Sequence, residues 1–331
     1  MMHSAIQLKP LSKDHPPMLQ VVVDTEEVFD WHAPFDRAQT DVSHMRHVHR
    51  VQEIFDRYGI KPIYVVDHPV ASQPQGYEPL AALLAQDRCM IGAHLHPWVS
   101  PPHDEVVNTH NAYPGNLPYA LEQEKLERLT HTITANFGQR PVIYKAGRYG
   151  FGPNSAEILA ELGYHIDLSP SPGFDQSVDG GPDHSRYPYT PFTFAAGKQR
   201  LLCLPTTGGF MGGLHRWGPY LQPYLQSTWA QPLKLGGIFS RLGLLSRLRL
   251  SPEGFEQADL QQLTQWLMGK GERLFTLSFH SPSWEKGHTP YVQSETQLQE
   301  FLNRIDRYCH FFMHELGGVY HTPATLQQML K

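Results

Sequence analysis

Two histidines two residues apart close a short apolar run in IGAHLHPW (91–98), and two carboxylates two apart close another in VVVDTEE (21–27). On an extended strand, residues two apart share a face. His94 and His96 therefore point the same way, as do Asp24 and Glu26, while Glu27 points away. One carboxylate with two imidazoles is the donor set of an open, three-ligand, zinc-type site that leaves a position for water. Later apolar runs end in the same manner. YKAGRYG carries Lys145 and Arg148, HIDLS carries Asp167, and LSFHSPSW carries His280. Lys145 and Arg148 are placed to orient a carboxylate or a substrate oxygen. Asp167 either joins them or caps the turn before Ser169 and Pro170.

What must position these groups is a series of alternating strands and helices. Strands are predicted over 18–24, 62–67, 89–95, 141–147, 164–169, 200–207 and 273–280, from dense apolar runs bounded by Gly and Pro. Helices are predicted over 43–58, 117–138, 154–163 and 255–268, and near 295–315, where Leu298, Phe301, Ile305, Tyr308 and Phe312 fall on one face. About seven strand–helix repeats without a break in composition predict one α/β domain over 18–331, after an N-terminal extension of 1–17. Apolar strands between amphipathic helices favour a parallel sheet curled into a closed or nearly closed (β/α) barrel. In such a barrel the chemistry collects at the C-terminal ends of the strands, which is where the ionisable residues fall.

Composition limits the alternatives. The net charge of −5 gives no footprint for a nucleic-acid partner. Cys89, Cys203 and Cys309 are odd in number and widely spaced, which argues against a disulfide framework or a cysteine metal site. The pairs Gly208-Gly209 and Gly212-Gly213 lack a phosphate-loop context. No window has the apolar length of a transmembrane span and the N-terminus has no secretion-signal core, so a cytoplasmic protein is expected.

The order VVVDTEE, GAHLHPW, YKAGRYG, DLS, LSFHSPSW resembles the five motifs of the NodB-type polysaccharide deacetylases, carbohydrate esterase family 4. VDTEEVFDW, IYVVDHPVAS and FHSPSWEKGHTPYV are most similar to the lipopolysaccharide-biosynthesis branch typified by WalW. The motifs run from about residue 20 to 291, most of the chain. The resemblance implies a deformed (β/α) barrel in which a divalent metal, zinc by expectation, is held by Glu26, His94 and His96. It implies removal of N-acetyl groups from a sugar, with Asp24 as general base and His280 as general acid. The substrate it implies is an N-acetylated sugar or a lipid- or nucleotide-linked oligosaccharide. The chain departs from the family pattern at three points. Asp24 and Glu26 are separated by Thr25, Trp98 stands where the second histidine usually lies so that His96 must replace it, and Lys145 stands where the third motif begins with arginine.

Aromatic residues beside these motifs, Trp31, Trp98, Tyr149, Trp217 and Trp284, are candidates to stack on sugar rings. The basic and apolar stretch 233–250 contains no acidic residue and suggests either a peripheral contact with the inner membrane or a helix packed on the barrel. Two other functions remain open: hydrolysis of a non-sugar amide on the same fold, and a catalytically inactive carbohydrate-binding or assembly protein.

Overall fold

A computed structural model describes residues 6–227, 232 and 234–330. Among the described residues the main path of the sheet has seven parallel strands, β1 (Met18–Thr25), β2 (Ile63–Val66), β3 (Met90–Leu95), β4 (Ile143–Ala146), β5 (Ile166–Asp167), β6 (Gln199–Cys203) and β7 (Leu274–His280), and the short strand Val319–Tyr320 also pairs parallel with the start of β1. Their order across the sheet is β6-β5-β4-β3-β2-β1-β7. Helices His49–Arg57, Pro74–Ala85, Tyr119–Phe137, Ser155–Glu161, Gln257–Lys270 and Glu295–His310 fall between or after the strands. The architecture is α/β, with a curled, mostly parallel sheet.

Strand parity divides the core in two. In β1, Leu19, Val21 and Val23 face one apolar cluster, whereas Met18 and Val22 face another. The same split recurs in β2, where Tyr64 and Val66 oppose Ile63 and Val65, and in β7, where Phe275, Leu277 and Phe279 oppose Leu274. The first cluster is the large one that includes helix residues such as Leu126, Leu129, Leu260 and Phe301; the second fills the concave side of the sheet. Counting by twos along that concave side, Met18 and Val22 lead to Asp24, Ile143 leads to Lys145, and Leu274 leads to His280. The interior is apolar at its base and ionisable at the C-terminal rim.

The curl stops short of a hydrogen-bonded barrel. Among the described residues, the free edge of β7 meets scattered contacts in place of a ladder, such as Thr276 N–H donating to Thr207 Oγ1 (2.8 Å) and Ser278 N–H donating to Leu250 O (3.0 Å). At the far edge, Phe192–Ala196 returns antiparallel beside β6, and Gln7–Leu8 pairs antiparallel with it. Residues 7 and 8, expected in an extension, thus add to the sheet. That hairpin was not expected, because the alternation of Phe192, Phe194 and Ala196 spans only five residues. Helix 43–58 opens as a 3-10 turn (Ser43–His47) before the α-helix begins at His49. The 233–250 stretch is neither one packed helix nor one amphipathic helix. It contains a short helix, Leu235–Arg241, and a strand, Ser246–Arg249, which pairs antiparallel with Gly208–Met211. Leu233 lies outside the described residues. No described helix is long and apolar enough to cross a membrane.

Candidate active site

Sheet register brings the rim residues together. His280 stands opposite Asp24 across β7 and β1, and His94 stands opposite Lys145 across β3 and β4. Lys145 Nζ lies 2.5 and 2.6 Å from the two oxygens of Asp24, and both residues are buried. Burial would raise the Asp24 carboxyl, but Lys145, with the charged His280, outweighs it and holds it down to about 2. Asp24 is therefore ionised at any working pH. Lysine supplies the countercharge, and Arg148 does not: it donates to Asp179 (2.5 Å) and Thr109 O (3.0 Å) and stacks on Tyr113.

Glu26, His94 and His96 bring one ligand atom each within 4.8 Å of one another. His94 Nδ1 donates to the carbonyl of Lys145 (2.8 Å), and His96 Nδ1 donates to Glu27 Oε2 (2.9 Å). Each Nδ1–H is thereby fixed, and each Nε2 lone pair faces Glu26 Oε2, at 3.6 Å from His94 and 3.4 Å from His96. Burial holds the imidazoles down to about 3 and about 4, so both are neutral, the form that binds a metal. Glu26 is buried, its Oε1 has no hydrogen-bond partner, and burial raises its carboxyl well above the usual range. An uncompensated buried carboxylate beside two neutral nitrogens is costly, and a dication there offsets that cost. The donor set fits a divalent metal, and the histidines at 94 and 96 converge although they are two apart rather than four.

Glu27, predicted to point away from Glu26, does so, and thereby reaches the back of His96. Its own N–H donates to Asp67 Oδ2 (2.7 Å), and Asp67 also caps the helix beginning at His68 through Val70 N–H (2.8 Å). Gly147 allows the imidazole to sit there, because a Cβ at that position would come within 2.6 Å of His96 Cδ2 and 2.3 Å of Leu95 O.

His280 stands on the opposite wall. Its Nδ1 donates to Glu253 Oε2 (2.7 Å), its backbone N–H donates to Glu253 Oε1 (3.1 Å), and Ser283 Oγ also donates to Oε1. Burial would lower the imidazole, but Glu253 and then Glu26 raise it to about 9. Its Nε2 lies 3.8 Å from Asp24 Oδ2. A cleft of about 370 Å³ opens over these groups, lined among others by Phe29, Trp31, Phe35, Tyr113, Tyr149 and Tyr291.

Several expected contacts are corrected. Trp98 is buried and stacks on His96 (centroids 4.2 Å apart), so it supports the imidazole and cannot stack on a ligand. Trp284 is also buried and donates from Nε1 to His44 O (2.8 Å), away from the cleft. Trp217 is exposed and does not line the cleft. Asp167 accepts from the N–H (3.0 Å) and Oγ (2.5 Å) of Ser169, whose Oγ accepts from Ala146 N–H (2.8 Å); it braces the strand end beside Lys145. Trp31 and Tyr149 do line the cleft. Glu27, Asp67 and Glu253 were not identified from the sequence, since each acts through a partner distant in the chain.

No protein-family profile matches the chain, and no curated protein matches it in sequence. Solved structures match in fold. A Mycobacterium smegmatis protein assigned to the polysaccharide deacetylases superposes with a TM-score of 0.52 at 15% identity, covering 98% of this chain and 95% of that one. The Puue allantoinase superposes with a TM-score of 0.57 at 14% identity, covering 97% and 93%. A GH57 branching enzyme from Thermococcus kodakaraensis gives a TM-score of 0.50 at 9% identity, covering 94% and 71%.

Proposed function

We propose that this protein is a divalent-metal-dependent amide hydrolase of the NodB type, which removes the acetyl group from an N-acetylated sugar. The observation that carries the proposal is the convergence, in one cleft, of three residues able to hold a metal, a carboxylate paired with Lys145 and an imidazole paired with Glu253. Glu26, His94 and His96 would hold the metal, which when bound supplies a Lewis acid and lowers the pKa of water. Asp24, kept charged by Lys145, accepts the proton of the attacking water. His280, kept charged by Glu253, donates a proton to the departing sugar nitrogen. Trp31, Tyr149 and Tyr291 offer aromatic faces and edges to the ring. An inactive binding protein would have no use for a base and an acid on facing walls. The test is acetate release from N-acetylated oligosaccharides by zinc-loaded protein, abolished by a chelator.

A second reading is favoured by the superposition on an allantoinase, the highest TM-score among those given above. Hydrolysis of a non-sugar amide would use the same Asp24 and His280, and a substrate screen with acyclic and cyclic amides separates the two.

The finer reading is a role on cell-surface polysaccharide or lipopolysaccharide precursors, with peripheral contact at a membrane. It is supported by the stretch from His184 to Pro252, which contains no Asp or Glu, and by the exposure of Trp217, Tyr220, Tyr224 and Leu242 within it. The protein should co-sediment with anionic vesicles and be released by salt. Absence of binding at low salt rejects the contact.

A further inference from the structure

One wall of the cleft carries a cation that the deacetylation chemistry does not use. Arg249 ends the strand Ser246–Arg249 and lines the cleft together with Asp24, Tyr149 and His280. Tyr149 ties it to the catalytic groups: Lys145 Nζ lies 5.0 Å, and the Arg249 guanidinium carbon 4.7 Å, from the centre of that ring. Arg247, two residues earlier and therefore on the same strand face, shares a second ring with it. The guanidinium carbons of Arg249 and Arg247 lie 4.0 and 4.7 Å from the centre of Phe174.

The seat for these arginines depends on Gly208, while Gly209 makes room for Tyr189. Gly208 pairs with Arg249 and Gly209 with Leu248 across the two-stranded ribbon. A Cβ at Gly208 would come within 3.0 Å of Phe174 Cε2, so glycine lets the ring lie against the ribbon and present itself to the guanidinium groups. This is the use found for Gly208, which has no phosphate-loop context.

No carboxylate among the described residues is in contact with the pair, although Asp175 favours the charge of Arg247 from a distance. Arg148, also in the cleft wall, is neutralised by Asp179. Neither Arg247 nor Arg249 forms an ion pair with a carboxylate among the described residues. Arg249 spends one donor on Ser171 Oγ (3.1 Å), and its Nε is buried with no partner. Two half-buried guanidinium groups on one ring repel each other, and the aromatic faces offset only part of that. The remaining terminal N–H donors of Arg249, next to a reaction centre, suit an oxyanion.

We propose that Arg249, flanked by Arg247, is an anion subsite of the cleft that recognises a phosphate or carboxylate carried by the substrate. The preferred substrate is then an anionic acetylated sugar, a phosphate ester or a uronate, and not a neutral one. This rests on the deacetylase reading only for the acetyl group; the subsite itself is read by affinity and not by turnover.

The experiment is calorimetric titration of the zinc-loaded, full-length Asp24→Asn chain, which lacks the base, with three probes. These are N-acetylglucosamine 1-phosphate, an N-acetylated hexosaminuronic acid and neutral N-acetylglucosamine. At least one anionic probe should bind about 10–100-fold more tightly than the neutral sugar. Tighter binding of the phosphate alone assigns a phosphate ester, and of the acid alone a uronate. Adding Arg249→Gln should remove most of that preference, and Arg249→Lys should keep part of it by retaining charge without the fork. If Arg249→Gln does not fold, Arg249→Lys and Arg247→Gln must each narrow the preference. Equal or absent binding of all three probes overturns the subsite, as does a preference that survives every arginine substitution. Acetate release by the unsubstituted chain from the neutral sugar would stand through such a failure. Conversely, anion preference without acetate release from any probe would retain the subsite and reject the deacetylase reading.

Discussion

His96 and His280 stand on the same rim and each donates its Nδ1–H to a glutamate, at 2.9 Å to Glu27 and 2.7 Å to Glu253. Their protonation is nevertheless opposite: burial holds His96 down to about 4, while Glu253 lifts His280 to about 9 against its burial. The difference lies one shell further out. Glu27 is buried beside Asp67, and burial pushes its carboxyl up to about 7, so it gives His96 less than a full negative charge at neutral pH. Glu253 accepts three hydrogen bonds from His280 and Ser283, and His280 also feels Glu26 and Asp24. The side chain of His280 retains 20% of its exposure against 3% for His96. A glutamate behind a histidine can leave the imidazole neutral or charged, depending on what holds the glutamate.

The largest effect tests the charged wall through its counterpart. Asp24→Asn should lower turnover by about 10²–10⁴-fold, because the base is lost while the ligand set stays intact. Elemental analysis of the same protein should find the metal retained; loss of metal here, with retention in Glu26→Gln, would exchange the roles of the two carboxylates.

Glu253→Gln tests the acid directly. The His280 pKa is raised in the folded protein, so the acid is present below that value and is lost as pH rises through it. The alkaline limb of kcat should lie at or below a pH of about 9 and move down toward about 6.5 in Glu253→Gln. At pH 8 this should cost about 10–100-fold, measured from the pH–rate profile. An unmoved limb would contradict the assignment of His280 as the acid.

Glu27→Gln should act on the other wall, weakening metal affinity by about 10–100-fold while leaving the alkaline limb in place. Competition with a chelating dye reads the affinity, and a shifted limb would erase the distinction drawn between the two glutamates. The smallest effect on activity is expected from Trp284→Phe. It leaves His44 O without its donor and should lower stability by about 1–3 kcal/mol, by chemical denaturation, with turnover unchanged.

How far these groups could be read from the sequence follows from strand parity. Asp24 with Glu26, and His94 with His96, are visible because the pleat repeats every two residues and each pair ends an apolar run. The rule that chemistry lies at the ends of parallel strands then brings in Lys145 and His280. Partner choice was not visible. Lys145 reaches Asp24, whereas Arg148, with φ at +54°, turns to Asp179, and nothing local distinguishes the two. Glu253 follows the ribbon strand, in a loop that the apolar pattern does not mark. Trp98 and Trp284 look like surface aromatics beside motifs, yet tertiary packing buries both. The hairpin edge and the ribbon were not expected because strands of four or five residues are too short for their alternation to mark them, and Gly208 and Gly209 add no apolar signal.

The most direct measurement is a zinc titration of chelator-stripped protein, following acetate release from an N-acetylated, phosphate-bearing sugar. A site made by Glu26, His94 and His96 predicts no release without metal, then a rise that reaches its plateau at one equivalent. Release that is full without metal, or absent at saturating zinc across neutral and anionic acetylated sugars, would contradict the account.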